Sequence, residues 1–259
     1  MPNMRFRPAA LFAAAALFVP VALAGGGTAY ASRRAASVNV SGNPYFPLVV
    51  GATWRYKQAS GPLAGSISTV HVVSAHRTAA GEAVEVQDVM GTATVTDSYV
   101  IGANGSIEVE VAVGGASKVT VSGSLSRYFI PTAAQVGSCH PCHFTAVFTT
   151  SNPSAYAKTH MAETATSLGV QTVHVPAGTY RAEKLQMLLK ITTAGGLTSG
   201  TVPTYAKGLI SSSATVSYSL YLVKGVGMVE TGAGTTVASV MGHTFSTPVG
   251  SLELLNYTP

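Results

Sequence analysis

The sequence predicts a single-domain, mainly β protein in which one antiparallel meander forms an open or half β-barrel, with at most one or two short helices. Apolar and polar residues alternate with a period of two through most of the chain, as in strands that bury one face. Glycine-rich turn signals separate these runs at hairpin-like spacing. Charged residues make up only 10% of the chain, well below the usual quarter, so Ser, Thr and Gly fill the exposed positions.

The N-terminus predicts a signal peptide over residues 1–31. An uncharged apolar run, Ala9–Ala24, follows two arginines, and Ala29-Tyr30-Ala31 supplies the small-x-small pattern of a cleavage site. We place the cut before Ser32, with a cut after Ala24 as the alternative. The apolar run is about sixteen residues long, whereas a membrane-spanning helix needs roughly 20. The segment predicts an extracytoplasmic protein, secreted or envelope-associated, that would touch a membrane only through an uncleaved signal segment.

The remaining chain divides into a flexible leader over 32–44 and one β domain over 45–259. Removing Arg5 and Arg7 lowers Lys+Arg from 15 to 13, against 10 Asp+Glu, so the net charge falls from +5 to +3. The basic residues are scattered rather than clustered. We therefore expect no nucleic-acid partner.

The strand signal is clearest in four alternating runs, which are 107–113, 118–122, 184–191 and 216–222. Turns are predicted where glycines separate the runs, at Ala80-Gly81, Ala103-Asn104-Gly105, Gly114-Gly115, Gly195-Gly196 and Gly232-Ala233-Gly234. One stretch, 154–168, fits a helix that begins at Ser154 and ends at Gly169 as well as it fits a strand.

Four short motifs occur in a fixed order along the β domain. They are Tyr45-Phe46-Pro47-Leu48 with Gly51 and Trp54-Arg55-Tyr56, then Val175-Pro176-Ala177-Gly178-Thr179-Tyr180, then Gly225-Val226-Gly227, and finally the C-terminal run 252–257. This order resembles a widespread exported bacterial domain with the motifs Y-x-P-L-x-x-G-x-x-W-x-Y, V-P-A-G-T-F/Y and G-V-G-x-V. The resemblance implies a fold distantly like the half-barrel of LolA-type lipoprotein carriers, in which a curved sheet holds an apolar ligand or a partner. It implies no catalytic residue.

The motif residues themselves predict structural roles. Pro47 fixes φ ahead of an edge strand, and Trp54, the single tryptophan, is a core anchor or, alternatively, a ligand contact. Pro176 and Gly178 have the composition of a type II turn. Gly225 and Gly227 predict a bend or bulge.

Both cysteines lie in one cluster, Cys139-His140-Pro141-Cys142-His143. In an oxidising compartment we expect Cys139 and Cys142 to form a disulfide that shapes a loop. Three alternatives stay open: covalent attachment of haem c, which uses Cys-x-x-Cys-His; a thiol-disulfide exchange site; and a zinc site that would need a further ligand beyond His140 and His143.

No Gly-x-Ser-x-Gly, His-Glu-x-x-His or P-loop motif is present. The sequence therefore predicts a non-catalytic exported domain without a required cofactor. Its expected partner is an apolar small molecule, a lipid or an envelope protein bound in the curved sheet. A redox or c-type haem protein centred on the cysteine cluster is the alternative.

Overall fold

The computed structural model describes residues 40–79, 81–91, 93–101, 107–113, 117–122, 136–138, 141–152, 155–197, 210–240 and 243–259. Every regular element in these ranges is a strand. The strands are β1 (Thr53–Gln58), β2 (Ile67–Arg77), β3 (Glu82–Met90), β4 (Ala93–Ile101), β5 (Ile107–Val113), β6 (Ser117–Ser122), β7 (Cys142–Asn152), β8 (Ala155–Val175), β9 (Gly178–Leu197), β10 (Ile210–Val223), β11 (Gly227–Val240), β12 (His243–Val249) and β13 (Leu252–Thr258).

All thirteen strands belong to one antiparallel sheet in the order β10-β9-β8-β7-β6-β5-β4-β3-β2-β1-β13-β11-β12. The first ten strands form a meander, because each one pairs with the next along the chain. β11 also pairs with β10, so the sheet curves back toward its own end. The predicted fold class, a single open antiparallel meander, is confirmed. Within the described ranges, no helix is long and apolar enough to span a membrane.

The structure resolves the ambiguous stretch in favour of a strand. Residues 155–175 form β8, which pairs with β7 and β9 along its length. The turn predicted at Gly195-Gly196 is wrong, because both glycines lie inside β9 and pair with Ala157 and Tyr156. The sequence suggested a turn there because glycine marks turns, but the hairpin continues past both glycines.

The turn predicted at Gly232-Ala233-Gly234 is also wrong. These residues lie within β11, where Ser217 pairs with Thr235 and Ser219 pairs with Gly232. Two β11 residues therefore oppose one β10 residue, which defines a β-bulge. The bulge changes which residues of β11 face the core: Thr231 is buried before it and Thr236 after it.

The core lies on one side of the curved sheet, which we call the inward face. Its larger apolar cluster joins side chains from both ends of the meander, including Val72, Val84, Leu189, Val216 and Leu254. A second cluster is centred on Leu185 and Met187 of β9, both fully buried. Because Leu185, Met187, Leu189 and Ile191 alternate with less buried residues, the predicted two-residue period of this strand is confirmed.

β13 and β11 meet over a short length only, through the pairs Glu230↔Glu253 and Thr231↔Leu252. Beyond that point side chains of β1 reach β11 directly. The indole Nε1–H of Trp54 donates to the carbonyl of Val226, and the hydroxyl of Tyr56 donates to the carbonyl of Met228 at 3.0 Å. These two donors give partners to half-buried carbonyls of the β10–β11 turn and the start of β11, where β13 no longer pairs with β11.

Candidate functional site: carboxyl groups on the inward face

Three acidic side chains lie on the apolar inward face. Glu163 pairs across strands with Leu189, Asp97 pairs with Val86, and Asp88 pairs with Val70. Directly paired residues share a face of the sheet, so each carboxyl group points toward the core. One oxygen of each, Oδ1 of Asp88, Oδ1 of Asp97 and Oε2 of Glu163, is buried without a hydrogen-bond partner in the described part of the chain.

Glu163 is the most deeply buried of the three, with 3% of its surface exposed. Its Oε1 accepts a hydrogen bond from the hydroxyl of Tyr218 on β10 at 3.2 Å. Burial raises the pKa of Glu163 to about 8, and the hydrogen bond from Tyr218 opposes this only in part. Burial and the nearby carboxyl group also raise the pKa of Tyr218. Both groups are therefore uncharged at neutral pH, as expected for a carboxyl group among apolar neighbours.

The β11 bulge lies directly opposite Tyr218. A Cβ atom on Gly234 would come within 1.8 Å of the carbonyl oxygen of Ser217 and 3.1 Å of the Cα of Tyr218. Only glycine lets the two backbones approach this closely. The bulge thereby fixes the stretch of β10 that presents the Tyr218 hydroxyl to Glu163.

Substituting Gly234→Ala is expected to lower the free energy of unfolding by about 2 kcal/mol, because the new methyl group overlaps the β10 backbone. Urea unfolding followed by circular dichroism measures the loss. Gly232→Ala is the matched control on the same strand, since the atoms nearest to its Cβ belong to side chains, the first of them the Cβ of Ser219 at 3.2 Å. Equal stability losses in the two variants would contradict the assigned role of Gly234.

Asp88 and Asp97 form a second acidic group on neighbouring strands β3 and β4. They lie diagonally on one face, because Asp88 pairs with Val95 and Asp97 pairs with Val86. Burial raises the pKa of Asp88 to about 6. Burial, with a further contribution from the charge of Asp88, raises the pKa of Asp97 to about 6. Each of the two carboxyl groups therefore gains or loses its proton close to neutral pH.

Tyr56 and Tyr99 lie close enough to this acidic pair for its charge to affect their pKa values. Burial first, and then the nearby carboxylates, raise the pKa of Tyr99, and burial together with Asp88 raises that of Tyr56. Both phenols therefore stay protonated, and that of Tyr56 donates to the carbonyl of Met228. Within the described ranges, no group of three or more His, Cys, Asp and Glu side chains is placed to hold a metal ion.

Four residues singled out by the sequence meet near the β10–β11 turn. Gly225 and Gly227 lie in or beside this turn with φ of 77° and 93°. A Cβ atom on Gly227 would contact the Cδ of Pro47 at 3.4 Å and the Nε1 of Trp54 at 3.7 Å. The backbone N–H of Gly225 also donates to the carbonyl of Pro44 at 2.7 Å. These contacts attach the segment before β1 to the β10–β11 turn. The edge strand predicted after Pro47 is wrong, because β1 pairs with β2 on one side and with β13 on the other.

The other motif residues sit in turns around the same region. Gly51, with φ of 92°, donates its N–H to the carbonyl of Val72 at 2.9 Å. Pro176 and Ala177 form the two-residue connection between β8 and β9, and Gly178 begins β9 with φ of 140°. The N–H of Ala177 donates to the carbonyl of Leu254 at 2.9 Å, which ties this turn to β13.

The cysteine cluster lies only partly in the described chain. Cys139 and His140 fall outside the described residues, whereas Cys142 and His143 are the first two residues of β7 and pair with Ala165 and Thr164 of β8. The disulfide between Cys139 and Cys142, and the haem, redox and zinc alternatives, stay predictions.

The inward carboxyl groups were not among the site residues predicted from the sequence. A signal was present for two of them, since Asp88 continues the two-residue spacing of Val84 and Val86, and Asp97 precedes Tyr99 and Ile101 at the same spacing. A carboxylate in phase with the apolar face predicts an inward carboxyl group. Glu163 gives a weaker signal, because Met161 and Ala165 at the same spacing are apolar but Ala162 on the opposite face is apolar as well.

Comparison with known proteins gives a distant structural likeness. No protein-family model matches the chain, and no curated protein gives a significant match. A candidate lipoprotein from Parabacteroides distasonis aligns with a TM-score of 0.36 at 14% identity, covering 83% of this chain and 99% of that one. A candidate exported protein with a YmcC-like fold from Bacteroides fragilis aligns with a TM-score of 0.35 at 11% identity, covering 84% and 100%. Likeness at this level supports no statement about function.

Proposed function

We propose that the chain is an exported, non-catalytic domain that binds an amphiphilic small molecule, such as a lipid, on the inward face of its curved sheet. The observation that carries the proposal is the set of unpartnered carboxyl oxygens on an otherwise apolar face. Buried polar groups in proteins almost always have partners, and the exceptions mark a strained site, a functional site or an unrecorded molecule. Three of them on one face fit a surface prepared for a ligand with both apolar and polar parts.

The location of this activity is part of the proposal. The predicted signal peptide over 1–31 supports export, and an extracytoplasmic domain of the envelope is surrounded by lipids and lipid-linked molecules. The absence of the catalytic motifs named above supports a binding role. An envelope protein is the other occupant to be considered, and the binding experiment separates it from a small molecule.

Binding is tested with the purified chain and the uncharged fluorescent probe N-phenyl-1-naphthylamine, followed by competition with lipids extracted from bacterial envelopes. We expect saturable probe binding that the lipid extract displaces. Leu189→Phe, on the inward face, is expected to weaken probe binding about tenfold, or by about 1.4 kcal/mol, because the larger ring fills space that the ligand would occupy.

Leu188→Phe is the matched control, because position 188 is adjacent and points to the opposite face of β9. It is expected to leave the probe affinity unchanged. Absence of saturable binding by the unsubstituted chain, or equal losses in both variants, would contradict a small-molecule site on the inward face. The first of these outcomes would favour an envelope protein as the partner.

A further inference from the structure

The buried position of the Oε2 atom of Glu163 is not explained by any hydrogen bond in the described part of the chain. The neighbouring Oε1 already accepts the hydrogen bond from Tyr218, and Oε2 is buried without a partner in the described part of the chain. The side chain paired with Glu163 on β9 is Leu189, and the next inward residues are Ala165 and Met187, all apolar. A leucine at position 163 would suit these neighbours better than a carboxyl group does.

The hydrogen bond from Tyr218 restricts the orientation of the carboxyl group. With Oε1 held by the phenol, the remaining oxygen presents a single polar position to its apolar surroundings. In the uncharged acid Oε2 carries the proton and donates, while its lone pairs still accept. A hydroxyl or carbonyl oxygen is the complementary partner, because it accepts that proton and, in the case of a hydroxyl, also donates one back.

A charged ligand group fits this position less well. An ammonium group would require an ionised carboxylate, and both charges would have to leave water for an apolar interior, which is costly. A ligand carboxylate would bring a charge to a position where Tyr218 already gives its only proton to Glu163. An uncharged oxygen avoids both costs.

We propose that Glu163, held in place by Tyr218, recognises the uncharged oxygen-bearing head group of an amphiphile whose apolar chain lies on the inward face. The proposal rests on the proposed function and adds the chemical class of the ligand and the residues that select it. Glu163 supplies the contact to the head group, and Tyr218 is a positioning residue. The β11 bulge at Gly234 belongs to the same arrangement, because it fixes the backbone that carries Tyr218.

The test compares ligands of equal chain length and different ends. Affinities of 1-decanol, 1-chlorodecane and decylamine are measured by displacement of N-phenyl-1-naphthylamine from the purified chain, from Glu163→Gln and from Glu163→Leu. We expect the unsubstituted chain to bind 1-decanol about tenfold more tightly than 1-chlorodecane, which corresponds to one hydrogen bond that is satisfied only by the alcohol. Glu163→Gln retains this preference because, with its carbonyl oxygen held by Tyr218, the amide places an N–H donor where Oε2 stood.

In Glu163→Leu the preference for 1-decanol is expected to disappear, while the affinity for the probe and for 1-chlorodecane is kept. Thermal unfolding of each variant confirms that it is folded. If 1-decanol and 1-chlorodecane bind the unsubstituted chain equally, the head-group proposal is wrong and the apolar binding site stands. Tighter binding of decylamine, lost in Glu163→Gln, would overturn it in favour of a cation site. Absence of probe binding would reject the proposed function itself.

Tyr218→Phe separates the positioning role from the contact. This variant keeps the ring and removes only the hydroxyl that holds Oε1, so we expect a smaller preference for 1-decanol, about threefold, with unchanged binding of 1-chlorodecane. A preference equal to that of the unsubstituted chain would show that Glu163 acts without Tyr218 and would overturn the positioning role.

Discussion

Replacing Trp54 with alanine is expected to lower the free energy of unfolding by about 3–5 kcal/mol, the usual cost of truncating a buried aromatic side chain. Trp54 is 6% exposed and stacks on Tyr257 of β13 with ring centroids 5.2 Å apart. Its indole also donates to the carbonyl of Val226. The substitution therefore removes apolar contacts, an aromatic pair and a hydrogen bond to a half-buried carbonyl, all close to the place where β1 meets the β10–β11 turn.

Urea unfolding followed by far-ultraviolet circular dichroism measures this loss without relying on tryptophan fluorescence. Arg55→Ala is the matched control, because the adjacent side chain is exposed on the opposite face; a change within about 0.5 kcal/mol is expected there. Trp54→Phe should give an intermediate loss, since it keeps a ring and leaves the Val226 carbonyl without its donor. A loss below about 1 kcal/mol in Trp54→Ala would mean that the tryptophan is a ligand contact rather than a core anchor.

Raising the pH from 5 to 8 is expected to destabilise the protein relative to its Glu163→Gln variant by about 2–4 kcal/mol. The pKa of Glu163 rises from an ordinary value of 4.5 to about 8 on folding, chiefly through burial. Between these values the folded chain keeps a proton that the unfolded chain releases. The free energy of unfolding therefore falls as the pH rises from 4.5 to about 8. The stabilisation from the protonated carboxyl group is fully present below pH 4.5.

The comparison with Glu163→Gln isolates this one group. Asp88 and Asp97 also have raised pKa values, and they affect both proteins equally. Tyr218, the titratable group in contact with Glu163, stays protonated throughout because its own pKa is raised. Chemical unfolding at pH 5, 6, 7 and 8 gives the two stability curves. We expect them to meet near pH 5 and to separate with increasing pH, the variant being the more stable; parallel curves would refute a buried, neutral Glu163.

Much of the fold could be predicted from the sequence because strand periodicity is a local property. Leu185, Met187, Leu189 and Ile191 showed their common face directly, and the β8–β9 turn was marked by Pro176. The predictions that failed were two turns placed at glycines. Gly195 continues a strand, and Gly234 permits a bulge, because glycine serves turns, bulges and close backbone contacts equally well. Only the partner strand distinguishes these uses.

The candidate site was less predictable for a different reason. A carboxyl group such as Glu163 becomes unusual only when the strands on either side remove it from water and leave one oxygen without a partner. These properties come from packing between β8, β9 and β10, in which Glu163 and Tyr218 make contact although they are 55 positions apart. The cluster of Pro47, Trp54, Gly225 and Gly227 shows the same limit, since its members were found singly and their contact depends on the curvature of the sheet.

The pairing of β1 with β13 has a consequence for the rate of folding. The bond from Trp54 to Val226 joins residues 172 positions apart, and closing a loop of that length costs roughly 4–5 kcal/mol of chain entropy before any contact offsets it. Chains dominated by such distant pairings fold slowly, in milliseconds to seconds. The hairpins from β1 to β11 can each form from neighbouring segments, whereas the second edge of β1 must wait for β13. Until β13 pairs, the ring of Trp54 lacks its stacking partner Tyr257, so we expect this contact to be among the last to form.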